Sequence, residues 1–208
     1  KKIAFTGSTE VGKIIVRAAA GDLKRVSLEL GGKSPNIILD DADLDLALDG
    51  ALWGAFGTTG QRCTATSRLV LQSGIHDKFL GMLLERTRAL KLGDGRRKGT
   101  DVGPLIHESS RQKVARYVDI GVQEGADLLC GGKVPDGDDL AHGNFFEPTI
   151  FSRVEQGSRL EQEEIFGPVL SVIRVKTVDE AFAVNNGSLR TFIVRLYARC
   201  ERGVPCVE

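Results

Sequence analysis

One thiol, Cys63, stands in the stretch FGTTGQRCTATSRLVL, between two polar, glycine-broken segments rather than in an apolar run. The thiolate, not the thiol, attacks carbonyl carbon, and a free cysteine with a pKa of about 8.5 is mostly protonated at neutral pH. A catalytic cysteine therefore needs a helix end or bare backbone amides nearby, and a path for substrate. Gly57 and Gly60, with the short polar residues Thr58, Thr59, Thr64 and Thr66, permit such a turn. The same composition suits a small buried cysteine at a helix–strand junction, so the stretch needs partners elsewhere.

A carboxylate is the first of these partners. Glu29 lies between two leucines in LELGGKSP. Such a group either points to solvent or reaches a cleft whose apolar walls raise its pKa toward neutrality, the state a general base for activating water requires. Two glycines follow it and allow a sharp turn and close approach of a ligand. In FTGSTEVG a strand ends in Gly-Ser and a helix begins, which offers a helix N-terminus to phosphate. The pattern is not GxGxxG, and an ordinary strand–helix turn capped by Ser8 or Thr9 explains it equally well. In EEIFGPVLSV, Glu164 could meet ribose hydroxyls and Phe166 could lie along a flat ring. Alternatively they are a surface carboxylate and a core phenylalanine.

These residues need a scaffold, and the totals bound it. The chain has 208 residues, enough to bury a real core, and its 28 basic and 28 acidic side chains leave no net charge. Neither a nucleic-acid partner nor a membrane surface is indicated, since no basic excess and no membrane-length apolar run exists. The four cysteines form no CxxC pair and, with three scattered histidines, no metal pattern, so free thiols in a reduced, cytoplasmic setting are expected. His76, His107 and His142 read as surface residues, Cys130 as a strand-end core residue, Trp53 as packing, and Lys33 as structural or surface.

Strand-like and helical periods alternate along the chain. KKIAFTGS is extended, and the helical run TEVGKIIVRAAAG carries Val11, Ile14, Ile15 and Ala18 on one side. Two extended pieces flank GGKSP. A helix follows with Leu44, Ala47, Leu48, Ala51, Leu52 and Ala55 in register, leading into the Cys63 segment and the strand SRLVLQ. IHDKFLGMLLERTRAL and ESSRQKVARYVDIGVQEG are amphipathic helices, the second with a stripe of Val114, Tyr117, Val118 and Val122. ADLLC, NFFEPTIF and VLSVIRV read as strands, and TVDEAFAVNNG as a Thr-capped helix. The alternation predicts an α/β domain with a largely parallel sheet and helices on both faces.

Taken together and in this order, FTGSTEVG, LELGGKSP, GQRCTATSR and EEIFGPV resemble signatures of the aldehyde dehydrogenase superfamily, as does the 34-residue interval from Glu29 to Cys63. The resemblance runs from about residue 1 to Gly187. It implies a Rossmann-like strand–helix remnant of an NAD(P)-binding domain over 1–30 and a catalytic domain over 31–187. It further implies NAD or NADP as cofactor, a small-molecule aldehyde as substrate and a homo-oligomer, dimeric or tetrameric. Cys63 would attack the aldehyde, hydride would leave for the nicotinamide, and Glu29 would activate the water that hydrolyses the thioester. The backbone amide of Cys63 would supply one oxyanion donor. Thr6, Gly7 and Ser8 would lie against nicotinamide and pyrophosphate, and Val11 against adenine. Leu30 would belong to the same cofactor site, Glu164 would bind the nicotinamide ribose, and Phe166 would flank the ring.

Two departures from the family pattern carry expectations of their own. The asparagine that supplies the second oxyanion donor, and most of the cofactor domain, should precede Lys1, so the chain is expected to be an inactive, poorly soluble fragment with exposed apolar surface. After Gly187 the reading SLRTFIVRLYARCERGVPCVE (188–208) matches nothing in the family and is read as a divergent tail from a shifted reading frame. Two rival functions remain at this point: a CoA-acylating relative, which Glu29 argues against, and a non-catalytic binding or structural element that retains the fold.

Overall fold

The computed structural model describes residues 1–137, 140, 142–188, 194–199 and 205–207. Two sheets organise them. Strands β1 (Lys2–Thr6) and β2 (Arg25–Glu29) pair in parallel through the crossover helix α1 (Thr9–Ala20). The second sheet has seven strands in the order β5-β6-β7-β4-β3-β8-β9: β3 (Ser34–Ile38), β4 (Thr66–Gln72), β5 (Asp127–Cys130), β6 (Thr149–Ser152), β7 (Val169–Val175), β8 (Arg195–Arg199) and β9 (Pro205–Val207). The five inner strands run parallel, and an antiparallel partner closes each edge.

Successive side chains of a strand point to opposite faces, and here both faces are covered. Leu69 and Leu71 of β4, Ile38 of β3, Leu170 and Val172 of β7 pack with helices α2 (Leu44–Phe56) and α3 (His76–Arg88), through Leu48, Ala51, Ala55, Phe79 and Leu83. Val70, Ile37, Val169 and Ile173 face the other way, onto α4 (Glu108–Gln123) and α6 (Val178–Asn186), through Val114, Val118, Ala181 and Val184. A single turn of helix, α5 (Arg159–Gln162), capped by Ser158, lies on this second face. The α/β reading and the helices on both faces are therefore as expected. No described helix is long and apolar enough to cross a membrane.

Several local expectations are corrected. Val11 and Ile14 of α1 lie exposed, together with Val16; the helix rests on β2 through Gly12, which meets Leu28 and Leu30. Val122 ends the α4 stripe in solvent, and Gly121 takes the buried place because the Phe151 ring and the Leu160 side chain leave no room there for a side chain. Of NFFEPTIF only the segment from Thr149 onward is strand, since Pro148 cannot donate to a ladder. Trp53 is 60% exposed, with the Arg62 guanidinium over its ring. Part of the shifted-frame expectation falls on residues 189–193, 200–204 and 208, outside the described residues; the rest of that segment supplies β8, which pairs with β3 from Asn36↔Arg195 to Ile38↔Tyr197.

Within the second core a guanidinium replaces a hydrocarbon. Arg68 of β4 has no solvent exposure. Its Nη1 donates to Glu161 Oε1 at 2.6 Å and to the Val184 carbonyl, Nη2 donates to the Asn185 carbonyl, and Nε to the Lys33 carbonyl at 3.0 Å. One side chain thus ties β4 to α5, α6 and the loop before β3. Removing one member of a buried ion pair leaves the other charge stranded and costs about 3–5 kcal/mol. Arg68→Met is expected to lower the unfolding free energy obtained from urea denaturation by that amount, while Arg174→Met, at an exposed position of β7, leaves it within experimental error.

Candidate active site

Backbone contacts join the four sequence segments end to end. Thr6 pairs with Glu29 across the β1–β2 ladder, and the Gly7 amide donates to the Glu29 carbonyl at 3.0 Å. The Gly32 amide donates to Glu164 Oε1 at 3.3 Å. Gly31 lies so close to that carboxylate that a Cβ there would land on it. Farther along, a Cβ on Gly60 would strike the backbone carbonyl of Gly167, and Gly60 holds φ at +67°. The chain positions at 6–8, 29–32, 164–167 and 60–67, remote in sequence, are therefore consecutive neighbours in space.

The turn that presents Cys63 is held under strain. Thr59 adopts φ of +57°, costly for a β-branched residue. Its buried hydroxyl donates to the Gly103 carbonyl, and the Gln61 side chain spans from the Pro104 carbonyl to the Ile106 amide. Cys63 itself is half-buried. Phe166, 42% exposed, also takes a left-handed φ of +59°, which turns its ring outward next to the Gly60 contact. A narrow pocket of about 10 Å³, room for about one water molecule, is lined by Gly32, Gly60, Arg62, Thr66, Glu164 and Phe166.

On the other side of Glu164 lies an open groove of about 510 Å³, formed by Ser8, Thr9 and Glu10 at the start of α1, by Lys113 and Tyr117 of α4, and by Glu163. Ser8 caps α1, its hydroxyl accepting from the Val11 amide, so the positive end of the helix faces the groove. Lys113 Nζ donates to the Glu164 carbonyl at 2.8 Å. The Tyr117 hydroxyl donates to Glu163, and burial, then that carboxylate, pushes its pKa up to about 12. Glu164 is thus the wall shared by groove and pocket.

Not every expected residue lies within this arrangement. Val11 is exposed on α1. Leu30 is half-buried against Gly12 and contributes packing. Glu29 is exposed at the end of β2 and makes no hydrogen bond to Cys63. Strand alternation explains this placement: Leu28 and Leu30 turn toward α1, so the side chain between them turns away from the apolar layer. Cys130 contrasts with Cys63. Its thiol donates weakly to the Pro148 carbonyl, and burial raises its pKa.

One basic residue went unrecognised in the sequence, and a second, Lys33, was left between a structural and a surface reading. Arg68 follows Cys63 by five residues inside an apolar strand, where a charge is a signal in itself. Lys33 is wholly buried, against the surface alternative, and its amine has no hydrogen-bond partner among the described residues. Burial, then the Arg68 charge, lowers its pKa to about 7, with Glu161 and Glu164 opposing the shift and Lys113 adding to it.

The sequence profile of the aldehyde dehydrogenase family matches residues 1–191. Betaine aldehyde dehydrogenase of Bacillus subtilis (strain 168) is 46% identical over 204 residues, which cover 96% of this chain and 42% of the relative. The mitochondrial succinate-semialdehyde dehydrogenase of Arabidopsis thaliana is 44% identical, over 91% of this chain and 35% of its own length. The crystal structure of betaine aldehyde dehydrogenase from Staphylococcus aureus in complex with NAD+ superposes with a TM-score of 0.92 at 43% identity, covering 94% of this chain and 39% of that one. The chain spans about two-fifths of the length of such relatives.

The buried amine generates a pH signature. A lysine titrates near 10.5 when unfolded and near 7 here, so the fold binds this proton less tightly. Its cost to stability is complete below pH 7 and fades as pH rises from about 7 to about 10.5. Lys33→Met is expected to be more stable than the parent at pH 6–7, with the difference shrinking toward pH 10, as read from urea midpoints across that range.

Proposed function

Because this chain belongs to the aldehyde dehydrogenase family, we propose that the protein carrying it oxidises an aldehyde to a carboxylic acid with a nicotinamide dinucleotide. The observation that supports the reading is the adjacency of the four segments, whose backbones meet at Thr6 and Glu29, at Gly32 and Glu164, and at Gly60 and Gly167. The groove between α1 and α4 suits an extended anionic cofactor. It offers the capped helix end at Ser8 for phosphate, Lys113 for charge and Glu164 for a ribose diol. When bound, the dinucleotide supplies the hydride acceptor. The two separate sheets support a boundary near residue 30 between a cofactor-binding part and a thiol-bearing part.

In this reading the Cys63 thiolate forms a bond to the carbonyl carbon, and the oxygen becomes an alkoxide. Collapse of that alkoxide expels hydride and leaves an acyl thioester on Cys63. Glu29 takes a proton from water, the hydroxide displaces the sulfur, and the carboxylic acid departs while the thiolate is restored. Glu29 is exposed at the end of β2, and this step requires its side chain to turn toward Cys63. Phe166, turned outward by its left-handed backbone, offers a face to the nicotinamide ring and excludes water from it. Relatives with different aldehydes in their names align at 46% and 44% identity.

Iodoacetamide below stoichiometric amounts, followed by peptide mass analysis, is expected to label Cys63 at least tenfold faster than Cys130, which is likewise half-buried but whose thiol pKa desolvation raises. In the protein carrying this sequence, Cys63→Ser should cut aldehyde-dependent NADH formation by about 10³-fold or more. Glu29→Gln should let an acyl adduct accumulate on Cys63. Undiminished turnover in Cys63→Ser overturns the reading, and acyl-CoA formed on addition of CoA shifts it to acyl transfer.

A further inference from the structure

Cys63 lies at the first corner of a tight turn. The Ala65 amide donates to the Arg62 carbonyl at 3.0 Å, with Cys63 and Thr64 between them. A peptide group is planar and trans, so its N–H points opposite to its carbonyl. The Arg62 carbonyl is committed to the inside of the turn. The Cys63 amide, in the same peptide, therefore faces outward, and among the described residues it donates to no acceptor. The Arg62 side chain leaves this turn for the C-terminal end of α2. Its Nη2 donates to the Trp53 carbonyl at 3.1 Å and reaches the Gly54 carbonyl at 3.5 Å. That helix has no basic residue in its own last turn, so Arg62 supplies the cation that its negative end favours. The Trp53 ring covers the guanidinium, 5.1 Å from Cζ to the ring centroid, and lies over Gly57, where a Cβ would strike it. Arg62 Nε is shut off from solvent, without a partner among the described residues. Arg195 of β8 pins the other corner, its Nη1 donating to the Thr64 carbonyl at 3.3 Å.

We propose that Arg62 is a positioning residue for the reaction at Cys63: its grip on the end of α2 fixes the Arg62–Cys63 peptide so that the Cys63 amide meets the alkoxide oxygen formed when the thiolate attacks. The catalytic consequence rests on reading Cys63 as the nucleophile; the hold of Arg62 on the turn does not. A helix end in water needs no arginine, because water satisfies its carbonyls. Here the side chain that caps the helix is also stacked on a ring and attached to the peptide whose direction matters. Its support is rigid, since α2 is anchored in the first core by Leu48, Ala51 and Ala55. Removing a whole oxyanion donor costs about 10²–10³ in kcat. A donor that stays but is free to turn away costs about tenfold to a hundredfold, the penalty of a misplacement of about 1 Å.

The test pairs amide exchange in this chain with turnover in the protein carrying it. Arg62→Met keeps an apolar stem and loses the donors; Arg62→Lys restores a cation that can donate to the same carbonyls. In Arg62→Met the Ala65 amide should exchange about tenfold faster by NMR, and kcat should fall about tenfold to a hundredfold, while KM for aldehyde and for NAD+ stays within about twofold. Arg62→Lys should recover most of both losses. Arg86→Met, which removes an exposed arginine bound to Asp49 of α2, should change neither. Unaltered Ala65 exchange, or equal losses in Arg62→Met and Arg62→Lys, overturns the grip on the turn. With Cys63→Ser inactive, an unaltered kcat or a loss confined to KM overturns the catalytic role. Should Arg62→Met fail to fold, Arg62→Gln takes its place with the same expectations. If Cys63→Ser turns over aldehyde at the parental rate, the reading of the thiol fails, and the exchange result still decides whether Arg62 holds the turn.

Discussion

The ion pair between Arg68 and Glu161 governs how the rest of the molecule is assembled. Neither side chain is exposed, so neither charge is supported by water. Taking two such ions out of solvent is costly, and their attraction offsets that cost only when the remaining donors also find acceptors. Arg68 meets this condition by bonding the carbonyls of Lys33, Val184 and Asn185. Each of those carbonyls lies at the end of an element or in a loop, where no ladder partner exists. A guanidinium presents its donors as a rigid planar fork, so the elements that answer it have little freedom to drift. The loop that begins with Gly31–Gly32 and the segment that leads to Glu164 are thereby fixed relative to the strand that emerges from the Cys63 turn.

Around that anchor the site is assembled by close backbone approach rather than by side-chain hydrogen bonds. Gly31 against the Glu164 carboxylate and Gly60 against the Gly167 carbonyl are contacts that no other residue could make without moving a neighbour. The left-handed Thr59 and Phe166 bracket the second of these contacts. Local strain of this kind persists only where the surroundings over-determine it. Here they do, through the Thr59 hydroxyl bond to Gly103 and the packing of Val114 behind Gly167.

Much of the fold was legible because its signals are local. Strands β3, β4 and β7 read as short apolar runs because both faces are covered, and α2 showed its register through Leu48, Ala51 and Ala55. The site segments were legible because glycine, proline and a nucleophile or carboxylate occur together in each. What escaped depends on what lies across the fold. The exposure of Val122 follows from the space Phe151 and Leu160 take beside Gly121. The burial of Lys33 needs Arg68, Glu161 and Lys113 converging from three elements, which no window of sequence displays. Strand β8 escaped because the segment after Gly187 departs from the family pattern that guides the reading elsewhere.

The alternation along β4 has a last implication, for the register of the strand. Arg68 shares a face with Val70, opposite Leu69 and Leu71. A slip of β4 by one residue against its neighbours would swing the guanidinium into the hydrocarbon layer beneath α2 and α3 and put a leucine opposite Glu161. The buried charge thus locks the pairing of β4, while the turn before Thr66 lies outside the pleat and can change length without disturbing it.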